Sequence, residues 1–185
     1  MHHDVTRPSE WVQRWAHLIP EHGDVLDLAC GSGRHMHLLK QRGHQPIGVD
    51  RDPAALALAA AHGRVVQADI ENGPWPFSDQ VFAGVVVTNY LWRPLLPAIV
   101  QSVAPGGALI YETFAMGNEK FGKPSNPGFL LRPGELLSAC ANATPPLRVV
   151  AYEELTLDKP GRCVQRVAAM RDWAGAPPED RKIAV

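Results

Sequence analysis

Five short apolar runs between Asp24 and Phe114 constrain the fold of this chain more than any other feature. They are Asp24 to Ala29, Gln45 to Val49, Arg64 to Ala68, Val81 to Thr88 and Ala108 to Phe114. Aliphatic runs of this length, bounded by glycine, proline or an acid, read as strands buried on both faces. Helical signals fall between them. Arg34 to Gln41 is stopped by Gly43, and Ala54 to Ala61 has Asp52 as its cap, Pro53 in its first turn and Gly63 beyond its end. Pro94 to Val103 reads as a helix perturbed by Pro97, and Pro105-Gly106-Gly107 as the turn that follows. Such alternation buries its apolar faces only as a mostly parallel sheet covered by helices. The expectation is an α/β, Rossmann-like, doubly wound fold.

The flanks complete it. Ser9 to Ile19 has Trp11, Trp15 and Leu18 at helical spacing, with Ser9 as the cap. Gly117 to Pro133 is rich in glycine, proline and asparagine and reads as a long ordered loop before a helix at Gly134 to Ala141. Leu147 to Leu157 and Cys163 to Met170 then read as an antiparallel pair joined by an Asp-Lys-Pro-Gly turn. The sheet thus has seven strands with an antiparallel C-terminal strand, in one domain over residues 1–173. The polar, Pro-rich tail from Ala174 to Val185 is expected to be loose.

Bulk charge excludes little but points somewhere. A formal net charge of -1 offers no general drive towards nucleic acid or anionic lipid. Cys30, Cys140 and Cys163 are odd in number and widely spaced, which suits a reducing cytoplasm rather than a disulfide scaffold or a metal centre. No apolar run approaches the roughly 20 residues that span a bilayer. His2 and His3 carry no metal-site pattern, and no metal is expected.

The chemistry gathers at strand ends. In open parallel sheets a ligand sits beyond the carboxyl ends of the strands, where strand order reverses. Gly31 and Gly33 follow the first strand, Asp50 ends the second, Asp69 ends the third, and Asn89-Tyr90 end the fourth. Glycines let a ligand approach backbone N–H groups with no Cβ in the way. A carboxylate at Asp50 suits a ribose diol, and Asp69 with Ile70 suits an adenine amine and ring face. A dinucleotide fingerprint needs a third glycine where Met36 stands, and no Gly-Lys-Ser/Thr phosphate loop is present. An adenosine without phosphates fits better, and S-adenosylmethionine is the obvious ligand of that kind.

LDLACGSGR, the strand-terminal Asp50, the Ala-Asp-Ile triplet at 68–70, PWPFSDQVFAGVVV and the later Pro-Gly-Gly resemble the ordered motifs of class I S-adenosylmethionine-dependent methyltransferases. The resemblance covers Val25 to Phe114. CGSGR, FLLRPGEL and the Tyr-Glu-Glu strand are similar to small tellurite-resistance-type methyltransferases, which implies a compact enzyme without naming a substrate. The resemblance implies that Asp27 holds the first loop near the methionine ammonium, and that Ala29, Gly31 and Gly33 line the methionine. It likewise gives Asp50 the ribose, Arg51 the flank of the adenine, Asp69 and Ile70 the adenine, and Asn89 the reacting end.

A sulfonium methyl is already activated, so alignment of the acceptor is the main requirement. The polar groups offered near the cleft are His35, Asn89, Tyr90, Tyr111 and Glu112. None marks itself as a base, and Tyr111 and Glu112 read equally as an edge-strand pair. The loop Gly117 to Pro133 is placed over the open side as a lid or pocket wall. Its Lys120 and Lys123, with Arg132, read as solvated rather than as an anion trap. His35 and His37 read as solvated helix residues, Trp11 and Trp15 as a helix packed on the body, Trp75 and Trp92 as core or rim, and Cys30 as a small buried residue. The leading expectation is methylation of a small molecule. Methylation of RNA or protein, and a non-catalytic cofactor-binding module, stand as alternatives.

Overall fold

The structure is a computed structural model that describes residues 7–173. His2, His3 and the tail from Ala174 lie outside the described residues. Seven strands form one sheet: β1 (Asp24–Leu28), β2 (Gln45–Asp50), β3 (Arg64–Gln67), β4 (Phe82–Thr88), β5 (Val103–Phe114), β6 (Arg148–Asp158) and β7 (Gly161–Met170). Their order is β3-β2-β1-β4-β5-β7-β6. The first five are parallel, and β7 runs antiparallel to both β5 and β6. The chain winds outward from β1 to β3, then returns to place β4 on the other side of β1. That reversal opens a crevice at the carboxyl ends of β1 and β4.

Five helices cover the sheet: α1 (Glu10–Trp15), α2 (Arg34–Gln41), α3 (Pro53–Ala59), α4 (Leu96–Gln101) and α5 (Glu135–Ala141). Alternate residues of β1 feed opposite layers, as strand geometry requires. Leu26 and Leu28 pack with Ile99 of α4 and Leu136 of α5, whereas Val25 packs with Val12 of α1 and Leu39 of α2. Met36 is fully buried beside Leu56 and Ala59, filling the space between α2 and α3. The start signals read from sequence operate as expected: the Ser9 side chain accepts from the N–H groups of Trp11 and Val12, and Asp52 accepts from Ala54.

Three expectations need correction. Pro105-Gly106-Gly107 is not a free turn but a bulge inside β5, because the pairing with β4 jumps from Phe82–Val103 to Gly84–Ala108. The helix expected from Pro94 opens as a 3-10 turn at Arg93–Leu95 and becomes α-helical only at Leu96–Gln101. His35 is not a solvated helix residue; it is 2% exposed. Trp11 behaves as foreseen: it is buried, and its indole N–H donates to the Val167 carbonyl at 3.2 Å. Trp75 joins an edge-to-face stack with Phe77, which in turn packs edge-on to Phe82.

Arg171, just past β7, closes the α4 side of the sheet. Its buried guanidinium donates to the carbonyls of Val100, Val103 and Pro145, satisfying the end of α4 and the start of β5 at once. Arg171→Ala strands three acceptors, so we expect a loss of about 3 kcal/mol in urea unfolding. Arg171→Lys should not restore it, because an ammonium cannot span the three carbonyls.

Candidate functional site

The turn after β1 is built on left-handed backbone. Ala29 has φ 52°, Gly31 52° and Gly33 82°. A Cβ on Gly31 would meet nothing within 4 Å, so that face is open to a ligand. Gly33 differs: a Cβ there would sit 3.0 Å from Ala59, so part of its job is to let α2 and α3 meet. The Asp50 carboxylate, at the end of β2, accepts from Gly31 N–H at 2.9 Å and from Asp52 N–H at 3.0 Å. Asn89, at the end of β4, is also left-handed at φ 54°. Non-glycine residues in that region cost energy and cluster at working sites. Ala29 and Asn89 flank the crevice from its two strands.

Two cavities lie at these strand ends. The smaller, about 260 Å³, is lined by Ala29, Asp50, Arg51, Asp69, Ile70 and Tyr90, with Glu71 at its edge. It gathers the residues read as binding ribose and adenine. The larger, about 570 Å³, has Arg34, Asn89 and Glu112 on its inner side and Phe121 and Lys123 of the 117–133 loop on its outer wall. That loop therefore forms a pocket wall, as its length suggested.

Asp27, on β1 just before the left-handed turn, lines neither cavity. It is 1% exposed, its Oδ2 has no hydrogen-bond partner, and burial pushes its carboxyl up to about 7, with Arg34 offsetting only part of the effect. A buried, orphaned acceptor beside an open glycine turn suits a cation from outside the chain. His35 lies next to it, with Nδ1 4.0 Å from Asp27 Oδ1. Its Nε2 accepts from Ser9 N–H at 3.1 Å, so the ring is neutral with the proton on Nδ1. Burial, then Arg34, holds it down at about 3. Ser9 also donates its hydroxyl to Glu112 Oε1 at 3.0 Å. One residue at the head of α1 thus ties the β1 side of the crevice to β5.

The remaining candidates divide. Asp69 lines the smaller cavity but spends Oδ1 on the N–H groups of Glu71 and Asn72 and Oδ2 on the Asn72 amide. Those bonds hold its carboxyl below the usual range. Tyr90 lines the same cavity, and its phenol is pushed up by burial and by Glu71 and Asp69, so it stays protonated. Tyr111 lines neither cavity: it is fully buried and donates to the Tyr90 carbonyl, which is a packing role. Cys30 is buried, with its thiol pushed up to about 12 by desolvation and then by Asp27 and Asp50, which leaves no nucleophile.

Sequence reasoning missed Ser9, Arg34, Lys159, Arg162 and Arg166, all on the larger cavity. Arg162 and Arg166 lie four apart on β7, hence on one face, and that spacing was the available signal.

Residues 25–107 match the family model described as a methyltransferase domain. Over 95 residues the chain is 38% identical to trans-aconitate 2-methyltransferase of Methylobacterium nodulans, covering 46% of this chain and 36% of that protein. It is 32% identical over 104 residues to malonyl-(acyl-carrier protein) O-methyltransferase of Serratia marcescens, covering 51% and 39%. The chain thus spans well under half the length of these curated relatives. Among solved structures, TehB of Haemophilus influenzae superposes with a TM-score of 0.68 at 20% identity, covering 89% of this chain and 63% of that one. A TehB-like S-adenosylmethionine-dependent methyltransferase of Corynebacterium glutamicum gives 0.63 at 18% identity, covering 88% and 87%. At those identities the likeness is one of fold. Residues 25–107 are thus similar to a methyltransferase domain, and the chain shares the fold of these solved S-adenosylmethionine-dependent methyltransferases.

Proposed function

We propose that the protein is an S-adenosylmethionine-dependent methyltransferase acting on a small-molecule acceptor. The observation that carries this reading is the orphaned Asp27 carboxylate beneath the left-handed turn, beside a cavity lined by Asp50, Asp69 and Ile70. A ligand with an ammonium at one end and an adenosine at the other meets each of these in turn. Asp27 would take the ammonium, with Ala29, Gly31 and Gly33 along the methionine. Arg34, which opens α2 and whose terminal nitrogens now reach only the neutral oxygens of Arg7 and Thr88, would take the methionine carboxylate. Asp50 would take the ribose diol, while Arg51, Asp69 and Ile70 would frame the adenine. When bound, S-adenosylmethionine supplies a methyl group already activated by the sulfonium.

The chain's own work is to orient and to exclude water. Asn89 lines the larger cavity and its chain neighbour Tyr90 lines the smaller, so Asn89 would stand near the point where an acceptor meets the reacting end. The phenols of Tyr90 and Tyr111 remain protonated, so neither removes a proton from the acceptor. A cavity of about 570 Å³, walled by Phe121 and Lys123, is of a size that suits a small molecule.

Isothermal titration with S-adenosylhomocysteine tests the cofactor site. Asp50→Ala should weaken binding about 100-fold, since it removes a charged acceptor and loosens the Gly31 turn together. Unchanged affinity would overturn the assignment.

Asp27 supplies a pH signature. In the ligand-free protein its carboxyl is raised from 3.8 to about 7, so the folded state holds a proton that the unfolded chain has already released. That contribution is complete below pH 4 and is lost as pH rises towards 7, by roughly 3 kcal/mol. Asp27→Asn should remove this loss in urea unfolding measured from pH 4 to 8. S-adenosylhomocysteine affinity should run the other way, rising to about pH 7 as the carboxylate forms, and should be weak and flat in Asp27→Asn.

A further inference from the structure

Resting on the cofactor reading, we propose that the larger cavity takes a small organic acid carrying two or more carboxylates, and that this is the acceptor. Among the described residues the cavity is lined by Arg7, Arg34, Lys123, Lys159, Arg162 and Arg166, with Glu10 and Glu112 as its acids. With Arg34 assigned to the methionine carboxylate and Arg7 left out of the count, Lys123, Lys159, Arg162 and Arg166 face Glu10, Glu112 and, beside Arg166, Glu153. The net charge of the chain is -1, so this concentration of positive charge is local and not a reflection of bulk composition.

Register explains part of the cluster. Glu112 on β5, Arg166 on β7 and Glu153 on β6 stand opposite one another across three strands. Arg166 Nε lies 3.1 Å from Glu112 Oε2, and its Nη1 lies 3.6 Å from Glu153. Arg162, four residues earlier on the same face of β7, reaches Glu112 only at 3.9 Å. The Nε groups of Arg162 and Arg166 are both buried without a hydrogen-bond acceptor in good alignment. Arg166 is paired with Glu112 and Glu153, whereas Arg162 has only the distant Glu112 oxygen and can take an anion supplied from outside. Lys123 comes from the 117–133 loop and Lys159 from the turn between β6 and β7, so they approach from a different side.

Two further features select among anions. The cations are spread around a volume of about 570 Å³, which one bare inorganic oxyanion would leave mostly empty. Phe114, Phe121 and Leu157 supply an apolar wall for a carbon skeleton. A carboxylate has no proton to lose, so it asks for no general base. That matches a cavity whose one inner carboxylate, Glu112, already receives the Ser9 hydroxyl and faces two arginines. Apart from Arg34, these cations lie outside the matched residues 25–107.

The test is isothermal titration with propane-1,2,3-tricarboxylate, its neutral trimethyl ester and inorganic phosphate, each added to protein saturated with S-adenosylhomocysteine. The tricarboxylate should bind, the ester should not, and phosphate should bind about tenfold or more weakly. The double variant Lys123→Ala/Lys159→Ala, altered only at exposed loop positions, should lose about tenfold in tricarboxylate affinity with S-adenosylhomocysteine affinity unchanged. Equal binding of the ester, or no change in the double variant, would overturn the proposal. Phosphate binding as tightly as the tricarboxylate would overturn it in favour of a simple oxyanion site. Absence of S-adenosylhomocysteine binding in the first titration would instead remove the cofactor reading and this proposal with it; its presence without tricarboxylate binding removes this proposal alone.

Discussion

The site depends on one carboxylate. Asp50 ends β2 directly beside the turn that leaves β1, and it accepts from the N–H groups of Gly31 and Asp52. The first bond fixes the left-handed turn against its neighbouring strand. The second fixes the entry to α3, where Asp52 in turn caps the helix through Ala54. A carboxylate has about four lone-pair positions, so two backbone donors leave two available towards the smaller cavity. The same group thus shapes the turn and keeps lone pairs for the proposed diol. A side chain without two oxygens in one plane would not perform both tasks, which is why a single acid governs geometry and chemistry here.

From that fixed turn the electrostatics follow. Asp27 lies beneath it in an environment that disfavours its charge, and His35 beside it is held neutral by the same burial. Neither is compensated by the other, because a neutral imidazole at 4.0 Å offers little to a carboxylate. In the ligand-free chain a retained proton relieves that cost, with Arg34 offsetting part of it, and a bound cation would let the carboxylate form. Ser9 extends this network outward. Its backbone N–H serves His35 and its hydroxyl serves both the first turn of α1 and Glu112. The head of α1 is therefore seated by the same groups that define the crevice.

Periodicity and punctuation carried the fold. Strand runs, the Ser9 and Asp52 caps and the closing antiparallel pair were legible because each depends on local spacing. The Pro-Gly-Gly bulge was not, since only pairing with β4 converts that turn into part of β5. His35 was misread for a related reason: its neighbours come from residue 9 and from strand β1, not from its own helix. At the site, Gly31, Asp50, Asp69 and Ile70 were legible from strand ends. Tyr111 was not separable from Glu112 by sequence, yet alternation sends one into the core beneath Tyr90 and the other into the larger cavity. The arginines of β7 and the two loop lysines became a cluster only through a register that unites strands far apart in the chain.

Glu112 shows how that register shapes chemistry. Set among cations, it could be read as a base placed to deprotonate an acceptor. Its partners argue otherwise. One oxygen receives the Ser9 hydroxyl and the other lies 3.1 Å from Arg166, so its charge is engaged in holding α1 and β7 in place. Its charge also keeps Arg166 and Arg162 from repelling one another, which allows two guanidinium groups to stand on one face of one strand. Glu112 is on this account the counter-ion that lets the positive cavity exist, and the excess of positive charge around it is what remains for a bound acid.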